Sequence, residues 1–373
     1  YLQPLHPGTG DQMKSISLNL ILVCITISLS AKDKPNIIIL LADDLGWADL
    51  GYQGSDDIRS PHIDSLAKNG IRFTDGHVSA SVCSPSRAGL MTGRYQQRFG
   101  HEANSPPPTD GMDLEQVTMA DRLKNLGYRT GLIGKWHLGN QDQYYPTQRG
   151  FDYFYGLRSG SRSYFYHPKK DDKAGNAKAI EENGKPVKFD GYLTDIFGQK
   201  AIDFIHAKDE KPFFLFHSFT APHGPMHATE EDKALFPSIK DTKRRSYAAM
   251  IWAMDRAIGQ LVDSLKASGE FENTLIWFLS DNGGATGNAS INLPLAGHKG
   301  IKFEGGTRVP FFVHWPKQFK ESKTFDPMMI SLDIMATSLA AAGAKHKDLK
   351  NLDGVNLLPF IQGEKATPPH QNL

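Results

Sequence analysis

Four oxygen-bearing side chains occur as two adjacent pairs, and each pair follows a run of apolar residues. Asp43 and Asp44 come directly after IIILLA, and Asp281 and Asn282 come directly after TLIWFLS. Such runs are typical of buried strands, and the carboxyl ends of parallel strands meet at one edge of a sheet. Three carboxylates and an amide at that edge form a ligand set for a hard cation such as Ca²⁺ or Mg²⁺. Either pair alone also fits a helix cap or a turn, so the prediction depends on finding both.

A lone cysteine, Cys83, lies in the segment SVCSPSRAGLMTGR, residues 81–94, and the other cysteine of the chain is Cys24. A thiol without an intramolecular partner is a liability in an oxidising compartment unless it has a chemical role. A lone cysteine is also often a small apolar filler. Three serines and Arg87 surround Cys83, and these polar neighbours favour the chemical role.

Lysine and histidine side chains follow other apolar runs. Lys135 and His137 lie two positions apart in GKWHLG, so an extended segment places them on the same side. His223 lies between prolines in FTAPHGP, and Lys299 lies between glycines that allow backbone to approach a ligand closely. A lone histidine or a glycine-flanked lysine is most often structural, so none of these four residues predicts a site by itself.

Apolar runs rich in β-branched and aromatic residues alternate with segments of helical spacing along the chain. This alternation predicts an α/β domain with a large, mostly parallel sheet flanked by helices. The predicted strands are 36–44, 128–136, 212–219, 274–282 and 309–315. The predicted helices are 60–69, 118–126, 193–206 and 243–267. Residues 168–188 are polar and charged, and we expect a surface excursion there.

Composition restricts the partners and the location of the protein. The 373 residues include 42 basic and 41 acidic side chains, so charge gives no indication of nucleic acid as a partner.

Residues 13–31 contain an early lysine, an apolar run and then small residues, the order of a secretory signal peptide. That run is shorter than the roughly 20 residues of a membrane span, so no stable span is expected. We interpret residues 1–12 as an upstream extension and expect a periplasmic or secreted protein without Cys24.

Taken together, these motifs resemble those of a known enzyme family. The pattern C-x-P-x-R at Cys83 followed by LMTGR resembles the signature of the type I sulfatases of the alkaline-phosphatase superfamily. The other elements of the family also occur in its order, over residues 34–316. They are LLADDLGW, GKWHLG, APHGP, LSDNGG, and GHKG with EGGTRVP. The resemblance implies an alkaline-phosphatase-like fold and hydrolysis of sulfate esters. It also implies that a separate maturation enzyme oxidises Cys83 to Cα-formylglycine.

The resemblance assigns a role to each candidate residue. Hydrated formylglycine would attack sulfur, form a covalent sulfate ester and re-form the aldehyde as sulfate leaves. Arg87 would hold the diol, Lys135 would contact the sulfate, and His137 would assist loss of the second diol proton. His223 and Lys299 would face the bridging oxygen, one of them protonating the departing alkoxide. The implied ligands of Ca²⁺ or Mg²⁺ are Asp43, Asp44, Asp281, Asn282 and the modified residue 83.

Residues 150–170 combine aromatic with basic side chains, and their first part, GFDYFYG, resembles an element of family members that act on carbohydrate sulfates. Aromatic and basic residues together suit an anionic sugar, so we expect a sulfated polysaccharide or oligosaccharide as substrate. The candidate substrate contacts are Arg158, Arg162 and, at the rim, His101. Packed aromatic rings with solvated basic residues are the alternative interpretation.

The resemblance also implies a domain division. Residues 32–345 are expected to form the catalytic domain, and residues 346–373 the start of a C-terminal subdomain that is truncated here. Two other functions stay open at this point. The chain fits a phosphoester or phosphonate hydrolase of the same superfamily, and it fits an inactive protein that binds sulfated glycans.

Overall fold

The computed structural model describes residues 34–105, 110–168, 176–207 and 209–373, together with residues 1 and 3. The predicted signal peptide and most of the upstream extension lie outside the described residues. In the described part of the chain, a ten-stranded sheet lies between two layers of helices. No helix formed by the described residues is long and apolar enough to cross a bilayer.

The large sheet contains most of the strands, and a second, two-stranded sheet pairs β3 with β12. The strands, numbered in chain order, are β1 (Asn36–Ala42), β2 (Ile71–Phe73), β3 (Gly76–His77), β4 (Arg129–Lys135), β5 (Tyr153–Leu157), β6 (Glu181–Glu182), β7 (Lys185–Pro186), β8 (Phe213–Ser218), β9 (Thr274–Ser280), β10 (Phe311–His314), β11 (Lys323–Phe325) and β12 (Met329–Ile330).

The large sheet has the spatial order β11-β2-β10-β9-β1-β8-β4-β5-β6-β7. Its central strands, from β9 through β1, β8 and β4 to β5, are parallel. β10 runs antiparallel to both β9 and β2, and β6 runs antiparallel to both β5 and β7. The predicted α/β fold with a mostly parallel sheet is therefore confirmed at the centre, and the short antiparallel strands at both margins make the whole sheet mixed.

Helices cover both faces of the sheet. Their bounds are α1 (Pro61–Lys68), α2 (Cys83–Thr92), α3 (Met119–Asn125), α4 (Leu193–Ile205), α5 (Glu230–Ala234), α6 (Thr242–Ala267), α7 (Glu304–Thr307), α8 (Asp333–Ala341) and α9 (Leu358–Ile361). The four predicted helices correspond to α1, α3, α4 and α6. Sequence spacing alone did not predict the helix at 333–341.

The central strand β1 shows why the sheet is buried on both faces. Its alternate residues Ile38 and Leu40 pack with α1, α4 and α6, whereas Ile37 and Ile39 pack with α2, α3 and α8. All four side chains are at most 1% exposed. Each fully buried side chain of this size contributes about 1.5 to 3 kcal/mol, so β1 holds the two helical layers together.

The aromatic segment at 150–156 leads into β5. Phe151, Phe154 and Tyr155 are buried and Tyr153 is half-buried, which favours packed rings in this part of the chain. The polar segment after it includes the hairpin of β6 and β7, which extends the sheet beyond β5.

The C-terminal residues pack on the same layer as α8. Leu357 and Ile361 are buried in that core, and His370 lies 2.9 Å from the carboxylate of Asp333. The backbone N–H of Val355 also donates to Asp333. The boundary at residue 345, and the interpretation of residues 346–373 as the start of a truncated subdomain, stay predictions.

Close approach of strands β4 and β8 requires glycine at position 134. Gly134 has a φ of +113°, and a Cβ atom there would lie 1.8 Å from the carbonyl oxygen of Ser218. We expect Gly134→Ala to cost more than about 4 kcal/mol in unfolding free energy, because both backbone strain and a backbone clash arise next to Lys135. Urea denaturation followed by circular dichroism measures this loss.

Gly127→Ala is the matched control, since Gly127 also has a positive φ, of +88°, but faces open space. Its expected cost is about 1 to 2 kcal/mol from strain alone. An equal loss of unfolding free energy in the two variants would contradict a steric requirement for glycine where β4 approaches β8.

Candidate active site

The two acidic pairs meet at the carboxyl edge of the central sheet. Asp43 and Asp44 follow β1, and Asp281 and Asn282 follow its neighbour β9. The backbone N–H of Asp44 donates to Asp281 Oδ1 at 3.2 Å, and Asn282 Nδ2 donates to Asp44 Oδ1 at 2.8 Å. The structure thus brings together the four residues that the sequence predicted as cation ligands, and all four are buried.

Cys83 is the first residue of α2 and faces this acidic edge. Its Sγ atom lies 3.6 Å from Asp43 Oδ1 and 3.9 Å from Asp44 Oδ1. Burial, with the nearby carboxylate of Asp281 as the next contribution, raises the pKa of the thiol above its ordinary value. The unmodified thiol is therefore protonated at neutral pH and is a poor nucleophile.

Each buried carboxylate is paired with a different fixed cation. Lys135 Nζ lies 2.7 Å from Asp43, Lys299 Nζ lies 2.7 Å from Asp44, and Arg87 Nε lies 2.8 Å from Asp281. Burial acts to raise the pKa of Asp43, but Lys135, His223 and Arg87 together hold it below its ordinary value. The group stays ionised without access to water.

Arg87 is anchored more firmly than the two lysines. Besides Asp281, its guanidinium donates to Ser218 Oγ at 2.7 Å and to the carbonyl oxygen of Lys135 at 3.0 Å. These contacts join α2 to the ends of β8 and β4. Removal of a buried cation with several partners leaves several groups unpaired, so Arg87 is both a structural and an electrostatic element.

The two predicted histidines lie on different loops around the carboxylates. His223 Nε2 lies 3.5 Å from Asp44 Oδ2, and its Nδ1 atom contacts the carbonyl oxygen of Gly224 at 2.6 Å. His137 has a φ of +58°, and its carbonyl oxygen accepts a hydrogen bond from Ser84 Oγ. Burial, followed by the charges of Lys135 and Arg87, lowers the pKa of His137 well below its ordinary value. His137 is therefore uncharged at neutral pH, and its ring is a weaker base than that of an ordinary histidine.

The donor atoms fit a hard divalent cation. The ligand atoms of Asp43, Asp44, Cys83 and His223 lie within 4.8 Å of one another. Asn282 Oδ1 is buried and has no hydrogen-bond partner among the described residues. A buried carbonyl oxygen without a partner is costly unless an ion or water satisfies it, so its place among three carboxylates supports an oxygen-ligated cation.

The three candidate substrate residues, His101, Arg158 and Arg162, have other hydrogen-bond and ion-pair partners than the catalytic candidates. His101 Nε2 lies 2.7 Å from Oγ of Ser84, the residue after Cys83, and burial lowers the pKa of His101 to about 4. Arg158 contacts Glu181 and Asp142, each at 3.1 Å. Arg162 donates to the carbonyl oxygens of Ser163 and Lys178. These contacts do not join either arginine to the carboxylate cluster, and a role of the three residues in substrate binding stays a prediction.

Sequence reasoning missed several residues that support the site. Asn288 Nδ2 lies 3.4 Å from Asp44 Oδ2, and Ser84 joins His101 to the backbone of His137. Tyr247 accepts a hydrogen bond from Gly46 N and donates to Asp49. Ser84 lies beside Cys83 and was visible in the motif. Asn288 and Tyr247 carry no local signal because only folding brings them to the site.

Comparisons with known proteins agree with this geometry. A family model described as Sulfatase matches residues 35–344. The chain belongs to the sulfatase family of the alkaline-phosphatase superfamily. This sulfatase is a sulfuric ester hydrolase. The match spans every candidate catalytic and cation-binding residue.

Individual relatives cover most of the sulfatase. It is 32% identical to arylsulfatase G of Rattus norvegicus over 90% of this chain and 70% of that protein. It is 31% identical to N-acetylgalactosamine-6-sulfatase of Canis lupus familiaris over 90% of this chain and 68% of that protein. The crystal structure of Ps i-CgsB in complex with k-i-k-neocarrahexaose has a TM-score of 0.86 and 41% identity, covering 90% of this chain and 78% of that one.

The raised pKa of Cys83 predicts slow alkylation of the unmodified thiol. In a Cys24→Ser chain made without maturation, we expect iodoacetamide at pH 8 to label folded protein at least about tenfold more slowly than urea-unfolded protein. The folded rate should keep rising above pH 9, past the point where an unfolded thiol, with a pKa of about 8.5, is ionised. Mass spectrometry of timed samples measures both rates. Equal rates at pH 8 would contradict a buried, protonated thiol.

Proposed function

We propose that this sulfatase removes sulfate from a sulfated polysaccharide or oligosaccharide, with Cys83 converted to Cα-formylglycine and with Ca²⁺ or Mg²⁺ as cofactor. The observation that carries the proposal is the position of Cys83 Sγ, 3.6 Å and 3.9 Å from the carboxylates of Asp43 and Asp44. An oxygen atom in place of that sulfur would face the same edge as the oxygen donors of Asp281 and Asn282.

Cys83 needs modification to act as a nucleophile. As a thiol it is protonated, because burial raises its pKa. Asp43, Asp44, Asp281 and Asn282 would hold the cation, whose positive charge, with a hydrated aldehyde at position 83, supplies an available oxygen nucleophile near neutral pH. The N-terminal amides of the ten-residue helix α2 begin at the same position and favour an anion there.

The charges of the site suit an anionic ester such as a sulfate monoester. The three carboxylates are balanced by Arg87, Lys135 and Lys299, so a divalent cation leaves the cavity positive. With Asp43 and Asp44 as ligands of a cation, Lys135 and Lys299 would be held less tightly by these carboxylates. The two ammonium groups would then be available to the sulfate oxygens, whereas Ser218 and Asp281 would keep Arg87 in place.

Two histidines would move the protons. His137, which its lowered pKa keeps neutral, would assist loss of the second proton of the diol as the aldehyde re-forms. His223, whose Nε2 atom faces Asp44, donates a proton to the departing sugar oxygen. Lys299 reaches the same carboxylate and stabilises the negative charge that develops on that oxygen.

Support for a sugar substrate comes from the relatives. One bears the name N-acetylgalactosamine-6-sulfatase, and the structure with 41% identity holds k-i-k-neocarrahexaose. The predicted signal peptide at 13–31 adds that the enzyme meets its substrate after export to the periplasm or the medium. A formylglycine-generating maturation enzyme is then required as a partner before the chain folds.

Replacement of the proposed nucleophile gives the direct test. We expect Cys83→Ala to lower sulfate release by at least about 10⁴-fold with little change in thermal midpoint, because the loss is chemical rather than structural. Ion chromatography of released sulfate measures the activity. Mass spectrometry of the peptide around position 83 should show an aldehyde in enzyme from a host with a maturation system. Near-normal activity of Cys83→Ala would end the proposal.

A substrate panel tests the substrate class. We expect matured enzyme to release sulfate from sulfated oligosaccharides with kcat/KM at least about 100-fold above that for phenyl sulfate, because only sugar substrates use the surrounding subsites. Nitrophenyl phosphate and nitrophenyl sulfate form a matched pair for the phosphoester alternative. Faster hydrolysis of nitrophenyl phosphate than of nitrophenyl sulfate would contradict sulfate esters as the substrate class. The Cys83→Ala enzyme serves as the control for contaminating activities.

A further inference from the structure

Two stacked tyrosines bind the backbone of the loop that carries His223. The Tyr164 hydroxyl shares its single hydrogen between the carbonyl oxygens of Thr220 and His223, the latter at 2.9 Å, in a bifurcated hydrogen bond. The Tyr192 hydroxyl donates to the carbonyl oxygen of His227 at 2.9 Å. The two rings stack with centroids 5.5 Å apart and planes 19° apart. Both ends of the loop 220–227 are therefore held from one side.

Tyr164 is well suited to act as a fixed donor. It is 1% exposed, and its carbonyl oxygen accepts a hydrogen bond from the backbone N–H of Leu193, the first residue of α4. Burial raises the pKa of its hydroxyl well above the ordinary value, so the hydroxyl keeps its proton. The backbone of Tyr164 is thus bonded to the first residue of α4, and its hydroxyl hydrogen points to the loop.

The loop contacts of Tyr164 bear directly on the ring of His223. The backbone N–H of His223 donates to Thr220, and His223 Nδ1 contacts the carbonyl oxygen of Gly224. These bonds leave Nε2 to face Asp44 at 3.5 Å. Since Tyr164 binds the carbonyl oxygens of both Thr220 and His223, it fixes the backbone on either side of this turn. A proton donor must be placed to within a few tenths of an ångström to act, so the anchor has a functional consequence.

We propose that Tyr164, secured by Tyr192, is a positioning residue that aims His223 at the departing oxygen. The inference rests on the proposed function, in which His223 protonates that oxygen. The Tyr164 hydroxyl bonds to backbone carbonyl groups of the loop, so Tyr164 acts through His223. Its effect must therefore be largest where protonation of the leaving group matters most.

A series of aryl sulfates with different leaving groups tests the inference on the matured enzyme. Tyr164→Phe removes the hydroxyl and keeps the ring. We expect kcat/KM to fall about tenfold for 4-methoxyphenyl sulfate, whose phenol is a poor leaving group, and less than about twofold for 4-nitrophenyl sulfate. We expect the slope of rate against leaving-group acidity to steepen both in Tyr164→Phe and in His223→Ala.

Tyr128→Phe is the matched control. The Tyr128 hydroxyl also donates to a backbone carbonyl oxygen, that of Pro35, at 2.9 Å, and this residue is 2% exposed next to the opposite end of β4. Its loss should lower the thermal midpoint to a similar extent without changing the leaving-group slope. Tyr192→Phe removes the other tyrosine hydroxyl that binds the loop 220–227. Its leaving-group slope decides the question if Tyr164→Phe does not fold.

A double variant separates positioning from general damage. In a His223→Ala background, Tyr164→Phe should change kcat/KM by less than about twofold, because its partner in the reaction is gone. Equal loss for every leaving group, or a full additional loss in the double variant, would overturn the inference. A normal leaving-group slope in His223→Ala would refute the proposed role of His223, and the inference would fall with it. Failure of Tyr164→Phe alone to alter the slope would refute only the inference.

Discussion

Three buried carboxylates lie at one edge of the sheet, and each is paired with a cation from a separate part of the chain. Asp43 meets Lys135 from the end of β4, Asp44 meets Lys299 from a loop, and Asp281 meets Arg87 from α2. Unpaired charges would cost several kcal/mol each in this setting. The pairing therefore ties a strand end, a loop and a helix to the carboxylate edge, and the rest of the site depends on it.

The same pairing prepares the site for chemistry. Fixed cations keep Asp43 ionised, as its lowered pKa indicates, and ionised oxygens are what a hard cation requires. Behind this layer, Asp49 binds Arg244 at 2.6 Å and Tyr247 at 2.7 Å. Tyr247 also accepts from Gly46 N, so the long helix α6 holds the segment that follows Asp44. Preorganised polar groups of this kind spare the enzyme reorganisation when charge develops.

Local patterns predicted the parts of the protein that depend on short stretches of chain. The buried runs became β1, β4, β8, β9 and β10, because continuous apolar runs in this fold have helices on both faces. The aromatic run at 150–156 could not be assigned from sequence, since a run that fits a sugar surface fits a buried strand equally well. Arg158 and Arg162 follow this run, and their contacts with Glu181 and with Lys178 depend on chain that pairs with them only after folding.

The sequence by itself determined the chemical inventory and its order along the chain. The motifs named the carboxylates, the amide, the thiol and the basic groups, because each lies in a short segment whose residue types limit what it can do. Only the tertiary structure decided which cation faces which carboxylate, and which side chains hold the catalytic loops from behind. Those partners, such as Tyr164 for the His223 loop and Tyr247 for Gly46, are far apart in sequence. Their contacts arise from packing of whole helices on the sheet, and no local pattern records them.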